Sequence, residues 1–294
     1  MCTTCGCSDD ARAKLTNMET GDVVMIDEHS HHHHHEYNHS HDHHHHDDGH
    51  THSHAHDHPH DHAHTHAGMH GTAISLETEI LAKNDKLAER NRGWFEGRNI
   101  LALNLVSSPG SGKTTLLERT IRDLSSEIPI NVIEGDQETV NDAQRIKDTG
   151  CRVVQINTGT GCHLEADMLA RGLKDLQPPL HSVVMIENVG NLVCPALFDL
   201  GEHCKVAILS VTEGEDKPVK YPHMFSAAKV MLLNKADLLP HLDFNVDQCV
   251  DYARQVNPEI EVFIVSAKTG DGMTDWYDWL RTNIPATSKE EAIV

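Results

Sequence analysis

The chain has 294 residues and a formal net charge of −21. This charge argues against duplex nucleic acid as a partner, because such binding depends on clustered Lys and Arg that neutralise phosphates. The sequence contains no apolar run of the about 18 residues that suggest a membrane-spanning helix. The start, MCTTCGCSDD, lacks the basic residues and apolar core of a secretory signal. We therefore expect a cytoplasmic protein whose eight cysteines are thiols or metal ligands.

The composition divides the chain into unequal parts. Residues 29–70 hold most of the 27 histidines and almost no large apolar side chains, so this His tract cannot offset the entropy of ordering itself. We predict that residues 8–71 are disordered. Residues 72–93 are predicted to form a helical lead-in, residues 94–285 one packed domain and residues 286–294 a tail.

The first candidate metal site is the cysteine motif at residues 1–7. Cys2, Cys5 and Cys7 lie within six residues, and Gly6 permits a turn tight enough for all three to face one ion. Three thiolates and the terminal amine provide four donors, which suits square-planar Ni(II), while tetrahedral Zn²⁺ is the main alternative. The third alternative is that these cysteines are reactive thiols that bind no metal.

The His tract offers many overlapping imidazole donor sets without a fixed geometry. Imidazole binds Ni, Cu, Co and Zn, so the tract is expected to have high metal capacity and low selectivity. An expression tag is the alternative. The length of the tract, its internal position and its interspersed aspartates argue against that alternative.

A helix is predicted over residues 75–92, with Ser75 as its N-cap and its end near Gly93. Its apolar side chains at helical spacing are Leu76, Ile80, Leu81 and Leu87. Seven strands follow, predicted at residues 100–108, 130–133, 153–156, 183–186, 206–211, 230–233 and 262–265. Segments able to form helices separate most of them, which predicts a doubly wound α/β domain with a mainly parallel sheet. Ligands of such domains bind beyond the carboxyl ends of the strands.

Residues 107–114, SSPGSGKT, lie between a predicted strand and a predicted helix, as a phosphate-binding loop does. The backbone N–H groups of such a loop surround phosphate oxygens, its lysine reaches the terminal phosphates and its threonine ligates Mg²⁺. Ser107 replaces the first glycine of the general pattern, and a chance turn is the alternative. The candidate nucleotide-binding residues here are Gly110, Ser111, Gly112, Lys113, Thr114 and Thr115.

Two further segments indicate which base is bound. Residues 234–237, NKAD, follow a strand and match the N-K-x-D element with which GTPases recognise guanine. The Asp237 carboxylate can accept hydrogen bonds from the guanine amino and ring N–H groups, and adenine lacks that amino donor. Near the last strand, residues 266–268 resemble the supporting S-A-K element. Although either segment alone could be an ordinary turn, together they favour GTP over ATP, with Asn234, Lys235, Asp237, Ser266, Ala267 and Lys268 as base-site residues.

Two acidic residues at strand ends are candidates for holding Mg²⁺ with Thr114 and for acting in hydrolysis with Lys113. They are Asp136 and Glu187, and ENVG at residues 187–190 stands where many GTPases have D-x-x-G. Glu in place of Asp departs from that pattern, and solvated carboxylates are the alternative. The sequence shows no glutamine in an evident position to orient water, so slow intrinsic hydrolysis is expected.

A second candidate metal site combines Cys162 and His163 with Cys194. Because adjacent side chains project differently, one copy is not expected to complete a four-coordinate site easily, and a symmetric dimer could pool ligands. Buried structural thiols are the alternative. Cys194 lies four residues after Gly190, so bound metal could sense the nucleotide state.

Seven segments together are similar to the HypB family, the hydrogenase nickel-incorporation GTPases of the SIMIBI class. They are CTTCGC, LNLVSSPGSGKTTLLE, IEGDQETVNDA, NTGTGCHL, IENVGNLVCPA, SVTEGEDKPVKYPHMF and LLNKADLLP, and the resemblance covers residues 1–7 and about 75–285. It implies a dimerising GTPase domain over residues 94–285, tight nickel binding at Cys2, Cys5 and Cys7, and weaker nickel or zinc binding at Cys162, His163 and Cys194.

The same resemblance implies two protein partners, a HypA-type nickel chaperone and the large-subunit precursor of a [NiFe] hydrogenase. In family members that have one, a His tract resembles a nickel store. Two rival functions remain open. A urease-type nickel GTPase has a similar phosphate loop, although CTTCGC argues against this function. A non-enzymatic metal buffer would explain the histidines and cysteines but not the base-recognition motif NKAD.

Overall fold

The computed structural model describes residues 13–26, 67–137 and 141–285, with side chains of the first helix described from residue 78. The strands are β1 (Lys14–Asn17), β2 (Val23–Met25), β3 (Leu101–Ser107), β4 (Ile130–Asp136), β5 (Arg152–Asn157), β6 (Val183–Glu187), β7 (Cys204–Ser210), β8 (Ala228–Asn234) and β9 (Glu261–Ile264). The helices are α1 (Ala67–Glu96), α2 (Lys113–Leu124), α3 (Asn141–Lys147), α4 (Ala166–Leu176), α5 (Cys194–Leu197), α6 (Lys217–Lys220), α7 (Pro222–Ala227), α8 (Val246–Val256) and α9 (Met273–Asn283). Within these ranges, no helix is long and apolar enough to cross a membrane.

One nine-stranded sheet organises the fold, in the order β2-β1-β5-β4-β6-β3-β7-β8-β9. Among the strands that the structure describes, all pairs from β5 to β9 in this order are parallel, and only β1 pairs antiparallel, with β5 and with β2. The doubly wound, mainly parallel α/β fold is confirmed, and all seven predicted strands are present. The chain leaves β3 toward β4 on one side and later places β7 on the other side. A crevice for ligands is therefore expected beyond the end of β3.

Both faces of the sheet are covered, which explains the continuous apolar runs of its strands. Leu101, Leu103 and Leu105 of β3 pack on one face with α2 and α9, while Ala102 lies on the opposite face with α4. Every residue of β3 is buried. The phosphate-binding segment is thus attached to a fully buried strand in the middle of the sheet.

Residues 13–26 correct the prediction that residues 8–71 are disordered. They form a β-hairpin on the edge of β5, and Leu15 and Ile26 join the core beside Ile156. At the hairpin turn, the Asn17 side chain accepts hydrogen bonds from two backbone N–H groups. The hairpin needs only a few apolar residues because β5 supplies a ready row of backbone partners. Local composition cannot predict hydrogen bonding to a strand that is distant in the sequence.

Helix α1 is longer than predicted. It begins eight residues before Ser75, inside the segment predicted to be disordered, and continues past Gly93 to Glu96. Burial of Phe95 in the core outweighs the cost of about 1 kcal/mol for a glycine inside a helix. Ile80 is 42% exposed, and the buried face consists of Asn84, Ala88, Asn91 and Phe95. The helix predicted from its apolar spacing is present, and its buried positions include two asparagines.

Leu15→Ala should reduce the free energy of unfolding by about 2 to 4 kcal/mol, because it removes a core side chain that is 4% exposed. Val24→Ala in the same hairpin is the matched control, since Val24 is 58% exposed and its loss should cost at most about 0.5 kcal/mol. Urea unfolding of both variants checks the difference. Equal losses would contradict the packing of this hairpin against β5.

Candidate functional site

The segment between β3 and α2 has the backbone conformation of a phosphate-binding loop. Gly110 and Gly112 adopt φ values of 76° and 89°, which few other residues tolerate. A Cβ atom on Gly112 would also lie 2.7 Å from the Asn234 side-chain nitrogen. Lys113 starts α2, so the N–H groups at that helix end can bind phosphate oxygens.

Glu187 at the end of β6 lies against this loop. Its Oε1 accepts a 2.7 Å hydrogen bond from the Thr114 hydroxyl and lies 3.4 Å from Nζ of Lys113. Burial raises the pKa of Glu187, and the neighbouring Lys113 and Thr114 oppose that shift. The other oxygen, Oε2, is buried without a hydrogen-bond partner among the described residues. A buried carboxylate oxygen and a threonine hydroxyl are oxygen donors that Mg²⁺ accepts.

Glu134 is a site residue that the sequence analysis missed. It is the register partner of Glu187 across β4 and β6 and is 2% exposed. Burial, followed by the charges of Glu187 and Asp136, raises the pKa of Glu134 to about 9. Asp136 ends β4 two residues later on the same face of the strand. The available signal was a glutamate directly after the predicted strand at residues 130–133.

The two predicted base-recognition segments meet beside the phosphate loop. Ser266 donates a 2.7 Å hydrogen bond to Oδ1 of Asp237, which orients that carboxylate. Asn234 donates to the Ser111 carbonyl oxygen and accepts from N–H of Ala267, so it ties both segments to the loop. A cavity of about 200 Å³ lies between them, lined by Gly112, Thr115, Asn234, Lys235, Asp237, Leu238, Ala267 and Lys268.

Cys162, His163 and Cys194 come together within one chain. Their ligand atoms all lie within 4.8 Å of one another, with 3.0 Å between the two sulfur atoms and 3.6 Å from Cys162 Sγ to His163 Nδ1. The three side chains meet although Cys162 and His163 are adjacent in the chain, and one copy supplies three donors of the four that a complete site would need. The loop turns between Cys162 and His163 so that both side chains face Cys194, the first residue of α5. Three donors leave a fourth position open.

The surroundings of this cluster suit a metal with thiolate and imidazole ligands. The His163 ring packs against Phe198 with 3.9 Å between ring centroids. Burial lowers the pKa of His163 to about 4, so its imidazole is neutral at pH 7, which is the form that binds metals. The Asn191 side chain donates to the Cys162 carbonyl oxygen, which connects the two loops.

Residues 187–194 join the phosphate site to the cysteine and histidine cluster. At Gly190 a Cβ atom would lie 3.3 Å from Cα of Pro109 in the phosphate loop, so only glycine fits without a shift. Asn188 is fully buried and accepts a 3.1 Å hydrogen bond from N–H of Leu164, next to His163. The same short loop therefore contacts both candidate sites. Cys2, Cys5, Cys7 and residues 29–66 of the His tract lie outside the described residues.

A phosphate loop, acidic side chains at neighbouring strand ends and an adjoining base-sized cavity define a P-loop nucleotide-binding domain. Residues 101–264 match the family described as CobW/HypB/UreG, nucleotide-binding domain. Over 222 residues the chain is 58% identical to hydrogenase maturation factor HypB of Escherichia coli strain K12, covering 74% of this chain and 77% of that protein. The chain belongs to the HypB family of hydrogenase maturation factors.

Solved structures agree with this assignment. HypB from Archaeoglobus fulgidus superimposes with a TM-score of 0.65 at 37% identity, covering 69% of this chain and 99% of that one. HypB from Helicobacter pylori in complex with nickel gives a TM-score of 0.64 at 37% identity, covering 70% and 99%. In both comparisons the structural match covers 99% of the solved HypB chain.

Glu134→Gln should flatten the pH dependence of stability of the protein without nucleotide or magnesium. The folded state retains the Glu134 proton up to pH about 9, whereas the unfolded chain releases it near 4.5. Between these values stability falls as the pH rises, by about 1.4 kcal/mol per pH unit for a fully retained proton. The variant lacks this loss, so unfolding in urea at several pH values should show a shallower decline. Glu96→Gln, at an exposed position, is the control, and identical slopes for all three proteins would contradict the assignment.

Proposed function

We propose that this chain is a GTP-hydrolysing nickel metallochaperone that binds, stores and delivers nickel for [NiFe] hydrogenase maturation. The single observation that carries the proposal is that residues 187–194 touch the phosphate loop at one end and supply Cys194 to a three-donor cluster at the other. Membership of the HypB family and the nickel complex of the H. pylori relative support it.

Hydrolysis is assigned to residues around the phosphate loop. Lys113 would bind the terminal phosphate oxygens, and Thr114, Asp136 and Glu187 would hold Mg²⁺ directly or through water. When bound, Mg²⁺ would neutralise charge on the phosphates. Water attacks the terminal phosphorus while the bond to the bridging oxygen breaks, which yields GDP and phosphate. The arrangement favours charge neutralisation over precise positioning of water, so a slow intrinsic rate is proposed.

Base selection is assigned to the cavity beside the phosphate loop. The Asp237 carboxylate would accept hydrogen bonds from the guanine amino and ring N–H groups. Ser266 holds that carboxylate, and Asn234 links it to the loop that would bind the phosphates. Lys235 donates to the Gly110 carbonyl oxygen and closes the same edge of the cavity. These contacts favour GTP and GDP as the nucleotides.

Nickel is the proposed cargo of the cluster formed by Cys162, His163 and Cys194. Two sulfurs and a neutral imidazole suit Ni²⁺ and Zn²⁺, and the open fourth position suits exchange of a metal in transit. A second copy of the chain is the proposed source of further ligands, through a homodimer that depends on nucleotide or metal. Cys2, Cys5 and Cys7 are proposed as the tighter nickel site and the His tract as the store.

The proposed partners are a HypA-type nickel chaperone and the large-subunit precursor of a [NiFe] hydrogenase, in the cytoplasm. A urease-type nickel GTPase is the second candidate, because UreG shares the matched family description. Nickel transfer to the two apo-enzymes, measured side by side, separates these functions. A metal buffer without enzymatic activity would show no GTP turnover.

Asp237→Asn should shift base preference from guanine to xanthine. The amide turns one acceptor into a donor that faces the guanine amino group, whereas xanthine presents an oxygen there. Competition binding with GDP and xanthosine diphosphate checks this change. Asp243→Asn, in the loop before α8, is the control and should retain guanine preference. An Asp237→Asn variant that still prefers GDP would defeat the assignment of the cavity.

Metal affinity at Cys162, His163 and Cys194 should differ between the GTP and GDP states. If the terminal phosphate draws Gly190 toward it, Cys194 moves relative to the other two ligands, and linkage requires the same factor in nucleotide affinity. The coupling should be about 1 to 3 kcal/mol. Nickel titrations of a chain with Cys2, Cys5 and Cys7 changed to Ser, followed by thiolate absorbance, measure it. Equal affinities with GDP and a non-hydrolysable GTP analogue would exclude the switch.

A further inference from the structure

Two asparagines on the buried face of α1 hold together the segments that follow the metal ligands. Asn84 accepts a 2.9 Å hydrogen bond from N–H of Ala166 and donates 2.7 Å to the carbonyl oxygen of Asp199. Asn91 donates to the carbonyl oxygens of Ala166 and Leu200 at 2.8 and 3.0 Å. Each side chain therefore bonds to both segments at once.

These two segments are the ones that fix the ligand positions. Ala166 lies three residues after His163, and Asp199 follows α5, which begins at Cys194. Between them, Phe198 packs on the His163 ring. A change in the distance between Ala166 and Asp199 would therefore alter the spacing of the sulfur and nitrogen donors.

The chemistry of this helix face favours a positional role over simple packing. Asn84 and Asn91 are 5% and 4% exposed, at positions where an aliphatic side chain would bury more apolar surface. Burying an amide costs about 1 to 3 kcal/mol unless its hydrogen bonds are made, so such residues specify one arrangement of their partners. Seven residues separate them, which places both on one helix face about 10 Å apart.

Arg92 extends the same contact. It donates a 2.8 Å hydrogen bond to the Glu202 carbonyl oxygen and forms an ion pair with Asp199. Both side chains remain about one third exposed, so this pair contributes less than the buried amides. It still anchors α1 to the segment that follows α5.

We propose that Asn84 and Asn91 are positioning residues of the metal centre, because they hydrogen-bond α1 to the two segments that carry Cys162, His163 and Cys194. The inference rests on the proposed function of that centre. It follows that α1, whose first residues belong to the His tract, is mechanically linked to the ligands. A displacement of α1 changes their spacing, and bound metal restrains α1 by the same free energy.

The test uses the full chain with Cys2, Cys5 and Cys7 changed to Ser, so that thiolate-to-metal absorbance reports Cys162 and Cys194. Free Ni²⁺ is set by a chelator buffer, which removes the effect of histidine competition. Asn84→Ala and Asn91→Ala should each weaken nickel binding by about 10- to 100-fold, the usual effect of losing residues that orient metal ligands. They should also change the absorbance spectrum, and GDP affinity should remain close to that of the parent chain.

Asn257→Ala is the matched control. Asn257 also donates to two backbone carbonyl oxygens, those of Phe225 and Ala228, but far along the chain from the metal ligands. It should lower the melting temperature to a similar degree and leave nickel affinity and spectrum unchanged. If Asn91→Ala does not fold, Asn84→Asp retains the acceptor for Ala166 and replaces the donor to Asp199 with a buried carboxylate oxygen that repels the Asp199 carbonyl, and it should weaken nickel binding as well.

Nickel affinity and spectra equal to those of the parent chain in the Asn84 and Asn91 variants would overturn the positioning role. Equal losses of affinity in these variants and in Asn257→Ala would also overturn it, because general destabilisation would then be the cause. A different result would contradict the proposed metal centre itself. In that case Cys162→Ser and Cys194→Ser would leave the thiolate absorbance of the parent chain unaltered.

Discussion

The buried ion pair between Glu187 and Lys113 is the contact on which both halves of the site depend. Glu187 ends β6, and Lys113 begins α2, so the pair joins the phosphate loop to the adjacent strand. Because burial penalises each charge alone, the two groups hold one another in place. The pair therefore fixes where the segment after Glu187 leaves β6, which is beside the phosphate loop. The positions of Gly190 and Cys194, which follow in the same segment, depend on this ion pair.

A chain of buried polar contacts extends this constraint across the sheet. Asn188 donates to Asn104 of β3, Asn104 donates to Glu202, and Glu202 forms a 2.8 Å ion pair with Lys205. Glu202 also accepts from N–H of Leu200, the residue whose carbonyl oxygen is bound by α1. The phosphate loop, the cluster of Cys162, His163 and Cys194, and α1 are thus connected through satisfied hydrogen bonds, which specify geometry more strictly than apolar packing does.

The predictions that failed share one physical cause. Residues 13–26 fell inside the segment predicted to be disordered, a prediction made from the composition of the His tract, yet β5 provides their backbone partners and Leu15 packs into the core. Helix α1 begins before the predicted Ser75, and segments distant in the chain accept hydrogen bonds from, and donate them to, the asparagines on its buried face. In both cases the deciding partner is more than 70 residues away in sequence.

The sequence by itself determined the seven parallel-sheet strands and the phosphate loop, and it predicted the segments for base recognition, since apolar runs, glycines and short motifs record local conformation and chemistry. It also named Cys162, His163 and Cys194 as one candidate site. Only the tertiary structure decided that one chain brings these three together, that Glu134 stands beside Glu187, and which face of α1 is buried. Those outcomes depend on strand order and on contacts between distant segments, which no local pattern encodes.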